Sequence, residues 1–118
     1  MAVFSGGVLS GSSNGRPIPV AATATPGTLI HTVGAGTTGF DEVMLFASNI
    51  TVTAATLTIE FGGTTDPGDH VVKAMSIPAN SQSIPICAGQ RLNNGLVIRA
   101  FSGTASAINI SGGFNRTT

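Results

Sequence analysis

The sequence predicts an all-β chain folded as a single-domain β-sandwich, and three observations carry that expectation. Helix signals are nearly absent: no window of a dozen residues places apolar side chains at helical spacing, and 16 Gly and 6 Pro interrupt the chain. Short segments alternate apolar and polar residues, as a strand with one buried face requires. Turn signals separate these segments at intervals of roughly 8 to 12 residues, the rhythm of a sandwich or small barrel rather than of βαβ units.

The first 22 residues read as an extended or flexible N-terminal arm, and residues 23–118 as the sandwich. Positions 5–15 are rich in Gly and Ser, and Arg16-Pro17-Ile18-Pro19-Val20 follows. Two prolines favour an extended or edge conformation. An ordinary loose terminus and an arm that orders on a neighbouring subunit both fit. On the second reading Arg16, Pro17 and Ile18 are candidate interface residues.

Strands are expected over 28–33 and 42–48, with Gly34-Ala35-Gly36-Thr37-Thr38-Gly39 turning the chain between them. The second strand carries Val43, Leu45 and Ala47 on one face but Met44 and Phe46 on the other. A strand apolar on both faces is covered on both. Either a loop of the same chain covers Met44 and Phe46, or another subunit does, which makes them further interface candidates.

The run 56–61 alternates cleanly, with Leu57, Ile59 and Phe61 on one face and Thr56, Thr58 and Glu60 on the other. After the turn at 62–68, strands are expected at 70–77, then briefly at 83–87, and again at 96–101 and 106–110. Pro78-Ala79-Asn80-Ser81, Asn93-Asn94-Gly95 and Ser102-Gly103-Thr104 supply the intervening turns.

Composition narrows the function classes. At 118 residues and 11.8 kDa there is room for one domain, large enough to bury a core without staples. The single Cys87 forms no intramolecular disulfide and reads as a small buried thiol. Net charge is zero with no cluster of Lys or Arg, which argues against nucleic-acid binding. The longest apolar run, 43–47, is too short for a membrane span, and the first ten residues lack the features of a secretory signal. Charged residues make up only 8% of the chain, against about 25% in an average soluble domain. So little charge leaves few means of keeping surfaces apart, and self-association is the expected result.

Motifs for chemistry are weak. Gly34, Gly36 and Gly39 make a formal G-x-G-x-x-G, but the strand-like Phe40 to Met44 follows where a nucleotide site needs a helix N-terminus. Sequons at Asn49, Asn109 and Asn115 have no secretion signal beside them. Asp66 and Asp69 flank Pro67-Gly68 as turn-capping residues, too few oxygens for calcium, and two His with one Cys make a poor zinc set. Asp41 and Glu42 with Ser48, His31 or His70 show no spacing that marks catalysis. The expectation is a non-enzyme with no cofactor and no metal.

From Arg16 to Arg116 the chain resembles small virion proteins of tailed bacteriophages. The resemblance rests on Gly15-Arg16-Pro17-Ile18, Ala22-Thr23-Ala24-Thr25-Pro26-Gly27-Thr28, Leu57-Thr58-Ile59-Glu60-Phe61-Gly62-Gly63-Thr64-Thr65, Val97-Ile98-Arg99-Ala100-Phe101 and Gly112-Gly113-Phe114-Asn115-Arg116. Among these proteins it is most similar to head decoration, or cement, proteins. The resemblance implies a β-sandwich or jelly-roll fold, a homotrimer, and a place on the outer capsid surface of the virion after synthesis in the host cytoplasm. The implied partner is the major capsid protein, whose neighbouring subunits such a protein clamps together. No site residues carry over. The competing expectation is a tail-associated or receptor-binding β module that recognises a host glycan, against which the absence of Trp and Tyr counts.

Overall fold

Alternating segments become strands because each buries one row of side chains against a second sheet. The computed structural model describes residues 4 to 118. In chain order the strands are β1 (Phe4–Val8), β2 (Ile18–Pro19), β3 (Thr28–Thr32), β4 (Phe40–Asn49), β5 (Ala55–Phe61), β6 (His70–Ile77), β7 (Ile84–Leu92), β8 (Val97–Ser102) and β9 (Ile108–Thr117). Among the described residues there is no helix. The all-β sandwich expected from the sequence is the fold observed.

One antiparallel sheet has the order β1-β9-β4-β7, with β2 pairing further along the same side of β9 as β1. The other has the order β3-β8-β5-β6. Apart from the β5–β6 hairpin and the β1–β2 edge, each connection crosses from one sheet to the other. The long axis of the molecule measures 49 Å and the short axes 27 and 20 Å.

Between the sheets lie Val43, Leu45 and Ala47 of β4, Leu57 and Ile59 of β5, Ile98 and Ala100 of β8, and Ile108 and Ile110 of β9. Each fully buried Ile or Leu contributes about 1.5–3 kcal/mol relative to an exposed one. Gly112 of β9 lies at φ +139°, and a Cβ there would collide with the Met44 carbonyl oxygen. Only glycine allows β4 and β9 to pair this closely.

The stretch read as an arm packs against the sandwich over its described part; residues 1–3 lie outside the described residues. Val8 pairs with Gly113, and Ile18 with Ile110. Between β1 and β2 the chain leaves its sheet and meets the edge of β3, where the Gly11 N–H donates to the Ile30 carbonyl at 2.9 Å. Leu9, Ile18 and Val20 are all core residues. Alternation does not mark β1 in the sequence, because Gly and Ser carry no apolar signal.

Candidate interface on the outer face of one sheet

The alternation along β4 sorts its ten residues cleanly. Asp41, Val43, Leu45, Ala47 and Asn49 point inward and are buried; Phe40, Glu42, Met44, Phe46 and Ser48 face outward. Met44 remains 38% exposed, so among the described residues no loop covers it. Across the strands, Met44 stands beside Gly113 of β9, and Gly113 beside Val8 of β1, itself 53% exposed. Ala88 and Pro85 of β7 flank Met44 and Phe46 on the other side.

Missing side chains shape this face. Gly6, Gly7 and Gly113 floor an open hollow of about 340 Å³ bordered by Met44 and Asn115. A second hollow of about 340 Å³ adjoins it, lined by Ser5, Phe40, Glu42, Arg91 and Thr117 and sharing Gly6 and Asn115. Arg91 borders it, with its guanidinium 4.6 Å from the Phe40 ring centroid and its Nε donating to Glu42 at 3.0 Å. Apolar and polar features thus run side by side along one sheet.

Of the interface candidates, Met44 and Phe46 lie together on this outer face, two residues apart on β4. Arg16 and Pro17 are exposed at the entry to β2, whereas Ile18 is turned into the core. A single strand, β9, separates β2 from β4. The structure therefore brings Arg16 and Pro17 to the same sheet as Met44 and Phe46, at its edge.

Sequence reasoning missed a buried polar cluster at the end of the sandwich where β4 begins. His31 Nε2 lies 2.8 Å from Asp41 Oδ2, and both side chains are buried. Arg116 donates from Nε to Asp41 Oδ1 at 2.7 Å and from Nη2 to Oδ2 at 2.8 Å, while the Gly34 N–H donates at 3.2 Å. The Ser10 N–H donates to His31 Nδ1 at 3.0 Å, so Nε2 carries the ring proton and gives it to Asp41. Burial pushes the Asp41 pKa up, but the hydrogen bonds from Arg116 and His31 outweigh it and hold the carboxyl below its ordinary 3.8. The Phe114 ring packs on His31 with centroids 4.3 Å apart, and the Arg116 guanidinium lies 4.9 Å from the centroid of that same Phe114 ring.

Ser10, His31 and Asp41 do not form a nucleophilic triad. The serine meets His31 through its backbone N–H, and its hydroxyl oxygen accepts from the Thr32 N–H at 2.6 Å. The cluster fastens four separate stretches of chain, at Ser10, at His31 and Gly34, at Asp41, and at Phe114 and Arg116. One signal for it was present in the sequence: Asp41 shares the inward face with Val43 and Leu45, and a carboxylate there requires a cationic partner.

The other candidates resolve into turn and sheet chemistry. Asp69 accepts from the Thr65 N–H at 3.0 Å, and Asp66 accepts from Lys73 at 2.6 Å. Glu60 accepts from Thr25 Oγ1 at 2.5 Å and the Gly27 N–H at 2.7 Å, which pins the β2–β3 connection over the second sheet. The glycine motif at 34–39 leads into β4, not a helix. Among the described residues no group of three or more His, Cys, Asp or Glu is placed to hold a metal ion. The chain matches no family model, no curated protein and no solved structure.

Proposed function

We propose that this protein is a capsid decoration protein of a tailed bacteriophage, a homotrimer that binds the outer capsid surface and holds neighbouring major capsid protein subunits together. The observation that carries the reading is the outer face of β4, where Met44 is exposed and Phe46, two residues on, is only half-buried. An apolar strip on a chain with only 8% charged residues is a surface that copies of the protein share. Pro17 and Arg16 at the edge of the same sheet extend it toward a neighbour.

The strand order adds support. The two antiparallel sheets, in the orders β1-β9-β4-β7 and β3-β8-β5-β6, support reading the sandwich as a jelly roll, an architecture used by viral shell proteins. Lectins use it too, so the fold alone does not choose between roles.

The second reading, a tail-associated or receptor-binding module that recognises a host glycan, has one observation in its favour. The hollow bordered by Phe40, Glu42, Arg91 and Asn115 offers an aromatic ring, a carboxylate, a guanidinium and an amide side by side. Two measurements separate the readings. Sedimentation equilibrium followed by co-sedimentation with capsids lacking the protein gives a trimer that pellets with capsids if it decorates them. A monomer that ignores capsids yet binds a bacterial surface glycan establishes the second reading instead.

A further inference from the structure

A buried imidazole that uses one nitrogen as an acceptor cannot take a proton without losing that bond. His31 of β3 is 1% exposed, and each of its ring nitrogens is engaged. Nε2 donates to Asp41, while Nδ1 accepts from the Ser10 N–H at 3.0 Å. Ser10 belongs to the turn between β1 and β2, and three hydrogen bonds tie that turn to β3. Besides the bond to His31, the Thr32 N–H donates to Ser10 Oγ at 2.6 Å and the Gly11 N–H to the Ile30 carbonyl at 2.9 Å. Further bonds of the turn are internal: the Ser12 N–H donates to the Leu9 carbonyl and the Gly15 N–H to Ser12 Oγ.

A proton from solvent adds to Nδ1, and the imidazolium then carries an N–H on both sides. On the Asp41 side nothing is lost, because Nε2 keeps its bond and gains charge attraction. On the Ser10 side a donor faces a donor. A backbone N–H has no lone pair to offer, so the bond becomes a repulsion. Two charged groups act on the ring, one from each strand beyond it. The Asp41 carboxylate of β4 favours the added charge; the Arg116 guanidinium of β9, whose Nη2 donates to the same Asp41 Oδ2 as His31, opposes it. The Phe114 ring and the Ser10 backbone bring no charge. A cavity of about 60 Å³ lined by Gly34, Thr38, Asp41 and Arg116 is roomy enough for water and gives protons a way to the pair.

We infer that His31 is a pH-sensitive latch: once protonated at Nδ1, it releases the β1–β2 turn from the edge of β3. Release stays local. The ladder from Phe4 to Val8 pairs with β9, and Ile18 pairs with Ile110, so both flanks of the turn remain anchored. Strand β3 pairs only with β8, and lifting the turn bares the Ile30 carbonyl and the Thr32 N–H on its free side. A bared edge of this kind is a template for pairing with another strand. The latch uses no residue of the outer face of β4 and holds whichever surface the protein attaches to.

The test is amide hydrogen exchange by NMR between pH 8 and pH 4.5, corrected for the intrinsic rate at each pH, with the His31 ring nitrogens followed in the same samples. Wild type is compared with His31→Asn, which leaves an uncharged acceptor near the Nδ1 position, and His31→Gln, which leaves an uncharged donor near the Nε2 position. As the ring takes its proton, protection of the Ser10 and Gly11 amides is expected to fall about tenfold, the scale of one hydrogen bond, while Ile59 and Ile98 keep theirs. His31→Asn is expected to hold the turn at every pH and His31→Gln to leave it open at every pH. Ser10 protection that stays level while the ring titrates, or a ring that takes no proton in this range, overturns the inference. An equal fall at Ile59 and Ile98 marks global acid unfolding and overturns it too, as does His31→Asn loosening in parallel with wild type. Where a variant fails to fold, wild type alone decides: a shared midpoint for ring protonation and Ser10 exposure supports the latch, and separate midpoints overturn it.

Discussion

Asp41 and Arg116 face each other across β4 and β9, 75 positions apart in the chain, and are joined by hydrogen bonds of 2.7 and 2.8 Å. His31 and the Gly34 N–H complete the carboxylate's shell. The pair ties the start of β4 to the end of β9 where the two sheets open toward solvent.

Breaking it leaves one charge without its partner, which for a buried pair costs about 3–5 kcal/mol. Asp41→Ala is expected near the lower figure, because Arg116 keeps partial access to water. The pH dependence has a definite sign. The folded pKa of Asp41 lies below 3.8, so its stabilisation is complete above that value and is lost as pH falls through the lower folded value. Urea midpoints between pH 7 and pH 2.5 check this: wild type loses stability over the acid part of the range, and Asp41→Asn, weaker at pH 7, loses less.

Cys87 is 2% exposed, and burial pushes its thiol up to about 11. A thiol so placed is neither accessible nor ionised at neutral pH. Labelling with a disulfide reagent at pH 8 is expected to be slow in the native protein and fast in denaturant. Rapid native labelling would place this part of β7 in an open state.

Gly112→Ala is expected to destabilise the protein by about 1–3 kcal/mol from backbone conformation alone. The added Cβ also meets the Met44 carbonyl, which raises the loss further. Gly36→Ala at φ +88° has open space around it and serves as the matched control, since only the backbone term applies there. Thermal melts of the two variants separate the terms.

Met44→Asp keeps the inward row of β4 intact and changes only an exposed side chain. The melting temperature of the monomer is expected to stay within a few degrees, with self-association weakened at least tenfold in sedimentation equilibrium. An unchanged association constant would remove this face from the assembly surface.

Much of the fold was legible because alternation marks a strand with one buried face. The expected strand at 70–77 coincides with β6, and those at 28–33, 56–61 and 96–101 meet β3, β5 and β8 within a residue. What escaped is rich in glycine. The second half of β9 contains Ser111-Gly112-Gly113, and β7 continues through Gly89 to Leu92. Such residues have little strand preference of their own, and pairing with β4 decides their conformation. Met44 and Phe46 were readable as an outward apolar row for the same reason that β4 was readable at all. The partnership of His31, Asp41 and Arg116 was not, because only the sheet order brings three distant residues to one place.

Phe4 and Thr117 are paired partners on β1 and β9, and Thr117 is also the partner of Phe40 where β4 begins. Phe4 and Thr117 therefore lie side by side, at the end of the sandwich opposite the β4–β5 turn. A peptide or enzyme joined at Phe4 or Thr117 would stand at that end, away from the β4–β5 turn. This β-sandwich is in that respect a ready two-port display scaffold: cargo can be doubled at one end while the other stays clear.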